Sequence, residues 1–213
     1  MSAHPVRAPR KTGTRGVPRA VRERLILDVA GQVFAVGGFY NGSMDEIAAR
    51  AGVSKPMLYA YFESKEGLYA AYVERTGGEL LTRLQASADA EDPPIERLRA
   101  RTREFLAFVE EHRDGWTVLF RELAWGPPLA EQVASLRREI TSAVQRMIVG
   151  SVATLPDPDV EALAHMIVGA GESLANWWLD RPGVRRDQVA EWYVEAVQAA
   201  VGAAVRRNAV DRS

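Results

Sequence analysis

In the stretch MDEIAARAGVSKPMLYAYFESKEGL, from Met44 to Leu68, a short helix exposes Lys55, Tyr59 and Tyr61 and hides Leu58 and Phe62. A lysine reaches guanine acceptors or phosphate, phenolic hydroxyls bond phosphate, and Met57 offers apolar contact to a thymine methyl. This is chemistry for reading a duplex rather than for breaking a bond. Tyr59 and Tyr61 taken alone suit plain packing as well. Catalytic constellations are missing from the chain. Its three histidines, His4, His112 and His165, belong to no zinc-protease motif, and no G-x-S-x-G or phosphate-binding loop occurs. His112 and Glu172 are the one conceivable acid–base pair, and nothing in the spacing brings them together. With no cysteine there is no thiolate metal site, disulfide or thiol nucleophile. The expectation is a non-enzyme without metal or cofactor.

The elements that must position those side chains are helices. Nearly every periodic segment repeats at helical spacing, so the fold class expected is all-α, with a helix-turn-helix domain followed by a larger helical domain. A first helix is expected from about Pro18 to Gly37, with Leu25, Ile26, Val29, Val33 and Phe34 on one face and Gly37-Gly38 as its stop. Ser43 caps the second helix, Glu46 completes a capping box, and Gly52 ends it. The third begins after Ser54, tolerates Pro56 in its first turn and ends near Phe62; Ser64 caps the fourth. Two helices crossing steeply need a small contact and a sharp turn. Ala48 and Gly52 provide these, and Ile47, Val53, Leu58 and Phe62 form the shared core. The outer face of the third helix is then free to enter a major groove about 12 Å wide.

Charge is uneven along the chain. Its 213 residues have a formal net charge of −1. Residues 1–75 hold 11 basic and 7 acidic side chains, a net +4, and the remainder holds 16 and 21, a net −5. Arg15 and Arg19 lie in an acid-free basic arm. The arm either follows a minor groove or is a solvated, disordered tail. At 47% hydrophobic and 26% charged the composition is that of a globular protein. No apolar run approaches the roughly 18 residues of a membrane span and no secretory leader is evident, so a cytoplasmic protein without a membrane partner is expected.

The segment VFAVGGFYNGSMDEIAARAGVSKPMLYAYFESKEGLY resembles the tetracycline-repressor (TetR/AcrR) family of bacterial transcription regulators. The resemblance covers roughly residues 20–70, and GVSKPMLYAYFESKEGL is its most specific part. It implies a homodimer with two N-terminal heads reading a palindromic double-stranded DNA operator, and a C-terminal domain that binds a small effector and sets the spacing of the heads. Repression is the expected mode of regulation. By position, Ser43, Met44, Ser54, Lys55, Pro56, Met57, Tyr59, Tyr61 and Lys65 fall where family members touch DNA. Met57 departs from the threonine of many members. Asp45 stands where some have a basic residue; it suits the helix dipole but repels phosphate. The division expected is a disordered arm over 1–18, a DNA-binding domain over 19–67, a ligand-binding and dimerisation domain over 68–207 and a disordered tail over 208–213.

Beyond about residue 75 only the residues themselves speak. A helix is expected from Ile95 to about Glu111 with Leu98, Thr102, Phe105, Leu106 and Val109 inward, then a short one in GWTVLFRELAW. Long helices follow at about 129–154, 157–180 and 187–207. Phe105, Trp116, Phe120, Met147, Met166 and Trp177 are candidate walls of a cavity for a small hydrophobic or amphipathic effector. His165, Gly169, Glu172 and Asn176 share one stripe of an otherwise apolar helix. Glu172 and Asn176 either anchor the effector, or Glu172 pairs with an arginine such as Arg121 or meets solvent. The alanines at 196, 199, 200, 203 and 204, with Gly202, suit close packing against a second copy or within the chain. A DNA-binding architectural protein without an effector is the alternative reading.

Overall fold

The computed structural model describes residues 18–89, 91–121, 129–152 and 155–211. Arg15 and the basic arm up to residue 17, Trp125 and the Arg121 side chain lie outside the described residues. Among those described there is no strand. The helices are α1 (Arg19–Asn41), α2 (Met44–Ala51), α3 (Lys55–Phe62), α4 (Lys65–Ala86), α5 (Pro94–Glu111), α6 (Arg113–Trp116), α7 (Leu129–Val149), α8 (Asp157–Leu179) and α9 (Arg186–Asp211). A π turn over Thr117–Arg121 continues α6.

Three serines start three successive helices as expected. Ser43 Oγ accepts from the Glu46 amide at 3.4 Å, Ser54 Oγ from Met57 at 3.3 Å and Ser64 Oγ from Gly67 at 3.0 Å, each worth about 1 kcal/mol. The reciprocal half of the capping box is replaced: the Glu46 carboxylate turns to Arg50 at 3.2 Å, and Arg50 also holds Gln32 of α1 at 2.6 Å. Gly52 takes the left-handed conformation (φ 67°, ψ 28°) that lets α2 turn directly into α3. Of the glycine pair expected to stop α1, Gly38 alone adopts positive φ, at 67°, and a last turn follows it to Asn41. Leu25 is exposed rather than inward. The buried face is centred on Ile26, Ala30, Val33 and Phe34, and Leu25 falls just past its edge.

One core runs without a break from the head into the body. Ile47 and Leu58 of the helix-turn-helix, Phe34 and Phe39 of α1, Tyr69 and Tyr72 of α4, Trp116 and Leu119, and Trp178 of α8 all belong to it. The boundary expected at residue 67 therefore falls inside the first turn of α4, with no linker there. A second, smaller core of Ile148, Leu155, Val160, Leu163, Ala164 and Ala204 closes the far end. There α9 continues past residue 207: Arg207 and Asn208 bond the Asp159 carboxylate at 2.7 and 2.6 Å. The tail expected from residue 208 is thus helical to Asp211.

The joint between head and body is tight because two glycines leave room for one ring. A methyl group on Gly31 of α1 would overlap the Tyr72 ring, and one on Gly115 of α6 would sit 2.9 Å from its hydroxyl. Burial pushes the Tyr72 phenol up from 10.0 to about 12. A raised native pKa means that stability is complete below the unfolded value and is lost as pH climbs from 10.0 towards about 12. Tyr72→Phe keeps the ring and removes that titration. Urea unfolding at about pH 11 is expected to find the wild type to have lost about 1 kcal/mol more than the variant, relative to about pH 9. Equal losses would mean that the hydroxyl reaches water.

Candidate nucleic-acid interface and effector cavity

The outer face of α3 is built from behind. Leu58 is fully buried, Phe62 nearly so, and Ala48 and Ala51 of α2 pack beneath them. Lys55, Pro56, Tyr59 and Ala60 are left exposed and Met57 half-buried. Tyr61 is half-buried instead of free. Its hydroxyl accepts from Arg22 Nη1 at 2.9 Å, and the Arg19 guanidinium lies 4.9 Å over its ring. Tyr61 and Arg19 thus clamp α3 to α1. The Met44 side chain is 7% exposed and belongs to the core, so what the start of α2 offers a phosphate at this position is its backbone.

The two lysines are held differently. Lys55 Nζ donates to Asp45 Oδ2 at 2.9 Å, which raises its pKa. Both side chains are well exposed, and an exposed pair is worth little, so a phosphate can displace the carboxylate. Lys65 points back over the end of α1, donating to the Tyr40 carbonyl at 2.9 Å with its ammonium 4.8 Å above Phe39. Partial burial lowers its pKa. Ser43 and Ser54 accept the cap bonds through Oγ, and each hydroxyl hydrogen remains able to donate to a phosphate.

In the body lies a cavity of about 440 Å³, within the range of small-molecule sites. Phe105, Trp116, Phe120, Met147 and Glu172 line it as expected. Three expected residues do not. Met166 is 56% exposed and Trp177 37% exposed, on the outer face of α8. Trp177 meets Trp192 edge-on at 6.4 Å and stacks under the Arg181 guanidinium at 4.4 Å. Asn176 stays outside the lining, yet its Oδ1 accepts from Trp116 Nε1 at 2.8 Å and so fixes the indole wall from behind. Glu172 has the arginine partner considered for it, Arg137 in place of Arg121. It lines the cavity, and its carboxylate is held by Arg137 of α7 at 2.8 and 3.1 Å, with the same guanidinium 5.6 Å over Phe120. Absent from the expectations were Arg101, Tyr193, Gln198 and the α4 leucines 80, 81 and 84, all in the lining. Arg101 had a visible signal: it falls between Leu98 and Phe105 in the inward stripe of α5.

The cavity and the head share parts. Trp116 immediately precedes the π turn and Phe120 lies within it, and the Val118 carbonyl in that turn accepts from Tyr69 Oη at 3.1 Å. Tyr69 in turn meets Phe34 and Phe39 edge-on at 5.6 and 5.5 Å. The helix that starts beneath α3 also delivers Leu80, Leu81 and Leu84 to the cavity.

Residues 26–72 match the family described as bacterial regulatory proteins, tetR family, and residues 94–200 match the tetracyclin repressor-like C-terminal domain. The chain belongs to the TetR family. It is 32% identical over 182 residues to the HTH-type transcriptional activator FasR of Mycolicibacterium smegmatis, covering 84% of this chain and 82% of that one. A TetR-like transcriptional regulator from Rhodococcus sp. RHA1 has the same fold at a TM-score of 0.74 and 35% identity, over 87% of this chain and 98% of that one. A tetR-family regulator from Streptomyces coelicolor gives 0.73 and 27%, over 92% and 91%. DNA-binding transcriptional regulation is what unites these proteins, and no described helix is long and apolar enough to cross a membrane.

For a TetR-family reading helix the Asp45–Lys55 pair has a direct consequence. Asp45→Asn frees the ammonium and removes a charge that repels phosphate. Fluorescence anisotropy on duplex DNA at low salt is expected to show binding roughly threefold to tenfold tighter, with the gain shrinking as salt rises. Unchanged affinity at every salt concentration would place the pair away from DNA.

Proposed function

We propose that the chain is a homodimeric regulator whose hold on a palindromic operator is loosened by a small apolar or amphipathic molecule in the cavity. The observation that carries this reading is the shared wall: the π turn that follows Trp116 and contains Phe120 is bonded through Val118 to Tyr69, inside the core that the reading head shares. A molecule that presses Trp116 and Phe120 outward shifts that turn, and α4 and α1 move with it. The direct contacts assigned to DNA are Lys55, Pro56, Met57 and Tyr59, with the backbone around Ser43, Met44, Ser54 and Lys65 near phosphate.

Two heads must meet half-sites about one helical turn of DNA apart, so the mechanism needs a second copy. The side chains that miss the cavity supply a face for it. Met166, Gly169, Ala170, Ser173 and Trp177 are exposed along one side of α8, beside Trp192 and the exposed alanines of α9. Apolar side chains of this size in one stripe favour burial against an identical stripe across a two-fold axis.

Switching is a shift of population between a DNA-competent and a DNA-incompetent spacing of the heads. A reversal from 1:99 to 99:1 asks the effector to discriminate between them by about 5.5 kcal/mol. Repression, which the resemblance favours, depends on where the operator lies relative to a promoter; the mycobacterial relative is named an activator.

Tyr69→Phe breaks the Tyr69–Val118 bond at a cost of about 1–2 kcal/mol and leaves every DNA contact in place. With any lipophilic compound that raises the melting temperature of the wild type, the variant is expected to bind both compound and DNA and to release DNA at least several-fold less readily. Anisotropy competition measures this. Undiminished release would route the coupling elsewhere, and a failure of every lipophilic compound to stabilise the wild type would remove the effector.

A further inference from the structure

The cavity wall contains one group that an apolar effector leaves unsatisfied. Arg101 of α5 is part of the lining, one helical turn from Phe105, whose ring packs edge-on against Trp116 at 5.4 Å. Its Nε is buried and has no hydrogen-bond partner among the described residues. Among the described residues neither a salt bridge nor a stacked ring engages the guanidinium. This sets it apart from three other arginines of the body, each of which has a carboxylate partner. Arg83 is paired with Glu104 and Glu111, Arg99 with Glu96 and Glu191, and Arg137 with Glu172.

The charges around Arg101 make the vacancy sharper. Among the described residues the charged neighbour that perturbs it is Arg97, a further cation on the same helix, which bonds Ser151 at 3.2 Å. Burial and then Arg97 both lower the Arg101 pKa, yet an arginine remains protonated at any working pH. The remaining polar lining does not supply an anion. Tyr193 donates its hydroxyl to the Ile167 carbonyl at 2.7 Å, Ser151 donates to Met147 at 2.9 Å, and Glu172 is committed to Arg137. A partly buried cation without a counter-charge is costly, and a guanidinium fork fits a carboxylate or a phosphate through two parallel bonds.

Resting on the effector reading above, we propose that the effector is an anionic amphiphile: Arg101 grips its head group, and its hydrocarbon tail lies along Phe105, Trp116, Phe120 and Ile140. Such a ligand satisfies the stranded guanidinium and fills the apolar wall beneath the π turn in a single binding event. The same tail with a neutral head fills the wall and leaves Arg101 as it was. A cationic head adds a third positive charge beside Arg97 and Arg101.

The test uses the full chain and four probes of equal tail length, each below its critical micelle concentration: dodecanoate, dodecyl phosphate, dodecanol and dodecyltrimethylammonium. Isothermal calorimetry is expected to show the two anions binding at least tenfold more tightly than dodecanol, with the cation weakest. Arg101→Met, which keeps the stem and removes the charge, is expected to lose that tenfold preference and to hold dodecanol as well as the wild type does. Arg138→Met, at an exposed position on α7, is the control for general surface charge and is expected to change neither. Carboxylate against phosphate identifies the head group, and preference for either supports the site. Equal affinity for dodecanoate and dodecanol in the wild type overturns the head-group assignment while the effector reading stands; this comparison needs no variant to fold. If none of the four binds to a chain that still holds duplex DNA, both the head-group site and the apolar effector reading fail.

Discussion

A phenol ring wedged between two glycines holds the reading head to the body. Tyr72 sits where Gly31 of α1 and Gly115 of α6 both lack a side chain, and neither helix can approach it closely with a methyl group in the way. One turn earlier on α4, Tyr69 is fully buried and ties its hydroxyl to the π turn. Head and body are therefore not two beads on a string. They share one close-packed interior, and such interiors transmit displacement instead of absorbing it. This constraint gives the cavity its meaning: α4, which delivers Leu80, Leu81 and Leu84 to the cavity wall, also carries Tyr69 and Tyr72 into the interior shared with the head.

The reading head was legible because each of its decisions is local. Ser43, Ser54 and Ser64 each cap the helix that follows, Gly52 forms the turn, and Leu58 and Phe62 repeat at the helical period, all within a few residues of their partners. What the periodicity could not show was how far a side chain leans. Tyr61 and Lys65 both point back to α1, across 39 and 25 residues of sequence, and such returns leave no mark on local spacing. The Met44 side chain is a related case: the first residue of a capped helix can turn inward.

In the body the apolar walls were readable and their polar fittings were not. Phe105, Trp116, Phe120 and Met147 belong to a cavity simply because large apolar side chains on facing helices meet there. Met166 and Trp177 share that chemistry on the opposite face of α8, and a helical stripe by itself does not say which neighbour it faces. Glu172 and Arg101 show the limit most clearly. Both interrupt apolar stripes, and only the fold shows that one has Arg137 opposite it while the other has no anion. Pairing across 35 residues is a property of packing, and residue type alone does not reveal it.

The dependence of the head on the cavity is tested most directly by amide hydrogen exchange with and without dodecanoate. The shared interior predicts that filling the cavity changes exchange together in the π turn from Thr117 to Arg121, around Tyr69 to Val73 on α4, and in the last turns of α1. Changes confined to α5, α7, α8 and α9, with α1 and the first half of α4 exchanging as before, would contradict it.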